Sequence, residues 1–210
     1  MVSVEQPARG RRRSVQKRTA MLDAAQELFL ADGYERTSVD AIAARANVSK
    51  RTVYDHFGEK ELVYTAVMDR VSARFMMTIK AAIEEELPEG CDLRPGLLAF
   101  VRRVATDTFS SSDYVLFRKL GSLKYVGGRV RGTARNAPKE QVVHRMAQFI
   151  EAGMLRPGDP WRTAEHFIAL THLLAMDTLD PTEPSSQAEL DDILVNGVDA
   201  FLRAYSPDAR

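Results

Sequence analysis

The chain has 210 residues, 45% hydrophobic and 28% charged, which supplies a real core and argues against wholesale disorder. At about 150 residues per domain, that length predicts one domain, or a small one joined to a mid-sized one. The single Cys91 excludes a disulfide framework and a cysteine-based zinc site, and it fits a reducing cytosol.

The longest nearly apolar run, Phe167 to Met176, is too short to span a bilayer, and the basic N-terminus lacks the apolar stretch of a secretory signal. The expectation is a soluble cytoplasmic protein with no membrane partner. Net charge is zero, but residues 1–60 hold 11 Lys/Arg against 8 Asp/Glu. Asp177 to Asp192 contains six acidic residues and no Lys or Arg. This gradient suggests a polyanion partner at the front and a different task at the back.

Helical spacing recurs throughout and no stretch keeps period two for long, which predicts an all-α fold. Residues 1–13, with Arg9, Arg11, Arg12 and Arg13, read as a disordered basic arm, either a solvated tail or an arm reaching the minor groove. A first helix is expected from near Ser14, with Met21, Leu22, Ala25, Leu28 and Phe29 on one face and Gly33 as its stop. Thr37-Ser38-Val39-Asp40 reads as a capping box for a short second helix, Thr37 and Asp40 satisfying each other. Its inner face is Val39, Ile42, Ala43 and Ala46. Asn47-Val48-Ser49 is a tight turn with Ser49 as N-cap of a third helix, Lys50 to Phe57, ended by Gly58.

A long helix follows from Glu59 to Leu87, roughly 43 Å at ~1.5 Å per residue, closed by Pro88-Glu89-Gly90. Later helices are expected near 93–110, 113–125, 138–154, 160–179 and 187–204, with a short one inside Gly127–Asn136. Pro95, Pro138 and Asp159-Pro160 mark helix starts.

Residues 38–57 are therefore two short helices joined by a three-residue turn, a helix-turn-helix. A major groove about 12 Å wide admits one such helix if its outer side is polar and its inner side anchored. Val53 and Phe57 fall together as the anchor, and Arg51 and Asp55 fall opposite. Lys50 and Arg51 are the candidate base-contacting residues, best suited to guanine O6 and N7. Thr37, Ser38, Ser49, Thr52, Tyr54, His56 and Lys60 are the candidate phosphate contacts, which position the helix without reading sequence.

Thr37 to Ala43, Ala46-Asn47-Val48-Ser49, Thr52 to Phe57 and Lys60-Glu61-Leu62, preceded by Leu28-Phe29 and Gly33-Tyr34, resemble the DNA-binding signature of the TetR family of transcriptional regulators. The resemblance is close over roughly residues 14–65. Asn47 stands where glycine is common, and Asn tolerates the left-handed conformation that the turn needs. Arg51 stands where a small residue is common, so no operator sequence transfers. Gly153 to Arg156 and Asp159-Pro160 resemble one common regulatory-domain type.

The resemblance implies a homeodomain-like helix-turn-helix domain over residues 1–58 and a helical effector-binding and dimerisation domain over 59–210. It further implies a homodimer on a palindromic double-stranded operator, most commonly a repressor released by a small apolar effector. An effector pocket would draw on Phe100, Phe109, Phe117, Tyr125, Met146, Phe149, Trp161, His166 and Met176. Each of these taken singly reads as plain core. Phe167, Leu170, Leu174, Ile193, Val198, Phe201 and Leu202 would pair with a second subunit, although a monomer could bury them against its own helices.

No catalytic residue, metal site or cofactor is expected. His166 and His172 lie six apart, about 240° round a helix, and no acid or cysteine stands at metal spacing beside them. Asp107, Asp113 and Glu151 make no recognisable acid pair. The competing readings are a helical enzyme using His166 or His172, and a helix-turn-helix adaptor that binds protein without DNA specificity.

Overall fold

The computed structural model describes residues 6–109, 111, 113, 115–116, 133–178 and 187–207, with side chains throughout except at 6–9, 108–109, 133–137 and 177–178. Every regular element among them is helical: α1 (Gln6–Arg36), α2 (Val39–Arg45), α3 (Lys50–Phe57), α4 (Lys60–Glu86), α5 (Leu93–Phe109), α6 (Thr133–Glu151), α7 (Pro160–Ile168), a π-helical turn (Ala169–Leu173), α8 (Leu174–Thr178) and α9 (Gln187–Tyr205). No helix among the described residues is long and apolar enough to cross a membrane.

The chain forms two compact units. The first holds α1 to α3, α4 as far as Ser72, and the described residues Ser111, Asp113, Val115, Leu116, Thr133 and Ala134. α1 begins at Gln6, before the expected Ser14, so Gln6–Arg13 is helix rather than disordered arm. Pro7 is tolerated in a first turn, where its missing N–H has no helical partner to lose, and arginine is a good helix former. The helical path breaks at Gly33 (φ 80, ψ 167), the expected stop.

The expected capping box is shifted by one residue. Ser38 is the N-cap of α2 and accepts from the Ala41 N–H at 3.1 Å. Thr37 instead donates its hydroxyl to the Gly33 carbonyl at 2.8 Å, closing the end of α1. The core beneath joins Met21, Ala25 and Phe29 of α1 to Ile42 of α2, Val53 of α3, and Val63, Val67 and Val71 of α4.

The boundary expected after residue 58 falls inside α4, because its first half completes this core. Residues after α5 rejoin it too. Leu116 is fully buried in the same cluster, and the Gln26 side-chain amide donates to the Asp113 carboxylate. Arg70 of α4 binds Asp23 at 2.6 Å and Gln26 at 2.5 Å, both on α1.

The second unit holds α4 from Ala73, α5, α6 from Arg135, and α7 to α9. Its core includes Ile79, Leu97, Phe100, Val104, Met146, Phe149, Phe167, Leu194, Val198 and Phe201. Arg94–Asp199 (2.7 Å) and Arg102–Asp191 (2.5 Å) tie α5 to α9. α9 approaches the π-helical turn so closely that a Cβ on Gly197 would stand 2.1 Å from the Leu170 carbonyl oxygen.

Two expectations change here. α6 begins at Thr133, so Pro138 lies within it rather than at its start, at the cost of one backbone hydrogen bond. The single helix expected over 160–179 is interrupted by the π-turn, where backbone bonds run i to i+5. The helices expected near 113–125 and inside Gly127–Asn136 lie largely outside the described residues.

Candidate nucleic-acid interface

α3 is fixed from both ends and from behind. Ser49 caps it, accepting from the Thr52 N–H at 3.1 Å, and Gly58 ends it at φ 80. Asn47 supplies the left-handed residue of the preceding turn, with φ 52. Val53 and Phe57 are buried at 1% and 6% exposure, and burying such side chains contributes about 1.5–3 kcal/mol each. Arg18 of α1 lays its guanidinium 4.8 Å from the centre of the Phe57 ring, bracing α3. The basic run of α1 hid this contact, because composition does not tell a packed arginine from a solvated one.

The opposite face is open. The Arg51 side chain is 90% exposed and only loosely paired with Asp55, at 4.0 Å. Lys50 binds Asp40 of α2 at 2.9 Å, and that hydrogen bond raises the pKa of Lys50 above its ordinary value. Tyr54 is exposed, while Thr52 and His56 are half-buried on the flanks. At eight residues α3 is about 12 Å long, the scale of the groove it would enter.

The phosphate candidates differ in availability. Ser38 and Ser49 are exposed caps, and the Ser49 and Thr52 hydroxyls bond each other at 2.8 Å. The Lys60 ammonium lies 4.2 Å from the Tyr34 ring centre and 3.4 Å from the Glu35 carbonyl, so it is partly engaged within the unit. Thr37 is 3% exposed with its hydroxyl spent on Gly33, which leaves it no surface to offer a phosphate. It is a structural contact.

In the second unit, Phe100, Met146 and Phe149 are brought together in the core. Trp161 is half-buried, with its indole N–H donating to Glu165 at 3.2 Å and the Lys139 ammonium over its ring. Met176 is half-buried, whereas His166 is exposed and 2.5 Å from the Tyr205 hydroxyl. The Phe109 side chain, Phe117 and Tyr125 lie outside the described residues. Desolvation by burial pushes the His172 imidazole down to about 4.

Three of the residues expected at a subunit interface are not surface residues. Phe167, Val198 and Phe201 are at most 1% exposed within a single chain, because Phe167 of α7 packs against Phe100 of α5 and Phe201 of α9, and Val198 of α9 lies in the same core. Leu174 is 46% exposed, with Leu173 beside it at 50%, and Leu170, Ile193 and Leu202 are partly exposed. The exposure of Leu173 could not be read from the sequence, because its neighbours carry the same apolar signal.

Residues 21–67 match the family model of bacterial regulatory proteins of the tetR family, and residues 126–207 match the AefR-like transcriptional repressor C-terminal domain. The chain is 32% identical to the transcriptional activator FasR of Mycolicibacterium smegmatis over 53% of its own length, and it spans 55% of that relative. A TetR-family regulator structure from Mesorhizobium loti aligns with a TM-score of 0.77 and 25% identity, covering 92% of this chain and 98% of the other. AibR, solved with isovaleryl coenzyme A and operator DNA, aligns with a TM-score of 0.62 and 22% identity over 85% and 96% of the two chains. With both halves matched and the helix-turn-helix in place, the chain belongs to the TetR family of transcriptional regulators.

Proposed function

We propose that this chain is a sequence-specific DNA-binding transcriptional regulator, a repressor released from its operator by a small apolar effector. The observation that carries the reading is the presentation of α3: Arg51 stands 90% exposed on its open face, over the buried Val53 and Phe57. The match of residues 126–207 to a repressor's C-terminal domain supports repression. Family membership supports a binding protein over an enzyme, acting on DNA in the cytoplasm. AibR's complex with isovaleryl coenzyme A and DNA supports a regulator that answers to a small molecule, and the apolar side chains of the second unit that would line its site are Phe100, Met146 and Phe149.

The exposed Leu173 and Leu174 support pairing with a second copy. A two-fold dimer would read a palindromic site, its half-sites a turn of about 34–36 Å or a multiple apart. The effector then acts by population shift, which requires different affinities for the two states.

Selection of bound genomic fragments, followed by mobility shift on the recovered duplex, tests the reading. Arg51→Ala should weaken specific binding by about 1–3 kcal/mol and relax preference at one or two base pairs. The log–log salt slope should be about −0.9 per phosphate neutralised. A flat salt response, or no selective retention of any fragment, overturns the reading and favours a protein-binding adaptor.

A further inference from the structure

Lys50 and Arg51, the two cations best placed to meet base edges, each face a carboxylate on the same open surface. Asp40 holds Lys50 at 2.9 Å, and Asp55 stands 4.0 Å from Arg51 one turn further along α3. All four side chains are more than half exposed. The reading face therefore carries no net charge from these groups. That is a poor design for non-specific binding, which rests on neutralising phosphates and releasing counterions.

A carboxylate has only acceptors, and so does a phosphate. Against the DNA backbone, Asp40 and Asp55 gain nothing and repel. Inside the major groove the donors are the amino groups of cytosine N4 and adenine N6, and an acidic side chain accepts well from cytosine. Wherever α3 meets guanine O6, N7 or thymine O4 instead, a carboxylate there is desolvated without a donor, a cost that cognate sequence avoids.

On the reading just given, we propose that Asp40 and Asp55 are specificity-determining residues. They hold Lys50 and Arg51 for base edges and penalise docking on sequences that offer Asp55 no cytosine amino group. Attraction to DNA in general then comes from elsewhere in the unit, as from the exposed Arg11, Arg12 and Arg13 of α1.

The test is equilibrium titration of two duplexes, the selected operator and its scrambled counterpart, with the full-length wild type, Asp40→Asn, Asp55→Asn and the double variant. The inference expects the scrambled duplex to bind more tightly in the variants. The double variant should lose about tenfold in the ratio of the two affinities. Its salt slope on scrambled DNA should steepen by up to about 0.9 for each freed cation.

Equal weakening on both duplexes would make the carboxylates mere supports and overturn the inference, as would an unchanged ratio. Should Asp40→Asn fail to fold, Asp55→Asn alone decides, since among the described residues the only ion pair of Asp55 is the 4.0 Å contact with Arg51 on the same helix. A wild type that shows no preference between the duplexes overturns the DNA reading itself; a discriminating wild type with unchanged variants overturns only this inference.

Discussion

α3 of the first unit and α9 of the second are both amphipathic helices, yet different kinds of contact specify them. α3 is set by its neighbours in sequence: the Ser49 cap, the left-handed Asn47 before it and Gly58 after it. α9 is set by an element far along the chain, through the contact of Gly197 with the Leu170 carbonyl and the pairs Arg94–Asp199 and Arg102–Asp191. Local signals of the first kind can be read from a string of residues. A close backbone approach cannot, because nothing in the neighbourhood of Gly197 names its partner.

The largest effect that can break this comparison is at Gly197. On helix propensity alone, Gly197→Ala inside α9 should gain about 1 kcal/mol. In the folded unit the new Cβ would stand 2.1 Å from the Leu170 oxygen and 2.9 Å from its carbon, both backbone atoms that cannot rotate away. The expected outcome is a loss of about 1–3 kcal/mol from overpacking. Gly158→Ala, with nothing within 4 Å of the added atom, should change little. Denaturation followed by the fluorescence of Trp161, the chain's one tryptophan and a residue of the second unit, reads both variants. A more stable Gly197→Ala would show that α9 is specified locally after all.

The same distinction explains what was legible. Val53 and Phe57 as anchors, Arg51 as the open face and the stop at Gly33 follow from spacing and turn chemistry, and the structure places them there. Thr37 was misplaced because a buried hydroxyl and an exposed cap are spelled alike until the partner, Gly33, is seen. Phe167, Val198 and Phe201 carry the same apolar signal whether they face their own core or another subunit, and only packing separates the two. The return of Leu116 to the first core is a long-range event that no local pattern announces.

His172 sharpens the comparison by giving the second unit its own sensitivity to acid. Burial holds its imidazole at about 4, against 6.5 for a free one. Between those values the unfolded chain binds a proton that the folded chain does not. Stability is therefore full above about 6.5 and falls as the pH drops towards 4, by up to about 3 kcal/mol. Carboxylates whose pKa is lowered, such as Asp191 beside Arg102, add their own loss at still lower pH. The comparison of wild type with His172→Gln isolates the histidine. Unfolding free energies from Trp161 fluorescence should run parallel above pH 6.5 and diverge below it. Parallel curves down to pH 4 would mean that the ring is not kept neutral by its surroundings.

The smallest expected effect probes the local side of the comparison. Asn47 adopts φ 52, a left-handed backbone that glycine enters without strain and that most side chains resist by roughly 1–2 kcal/mol. Asn is the exception, since its short polar side chain tolerates that region. Asn47→Gly should therefore shift global stability by no more than about 0.5 kcal/mol and leave operator preference intact, whereas Asn47→Ala should lose about 1 kcal/mol. Thermal unfolding by circular dichroism gives the stabilities, and mobility shift on the selected duplex gives the preference. The order of the two variants matters more than their size. If Ala were as stable as Gly, the turn would owe its shape to the packing of Val48 and Ala46 against the core rather than to backbone freedom at one residue, and α3 would be no more locally determined than α9.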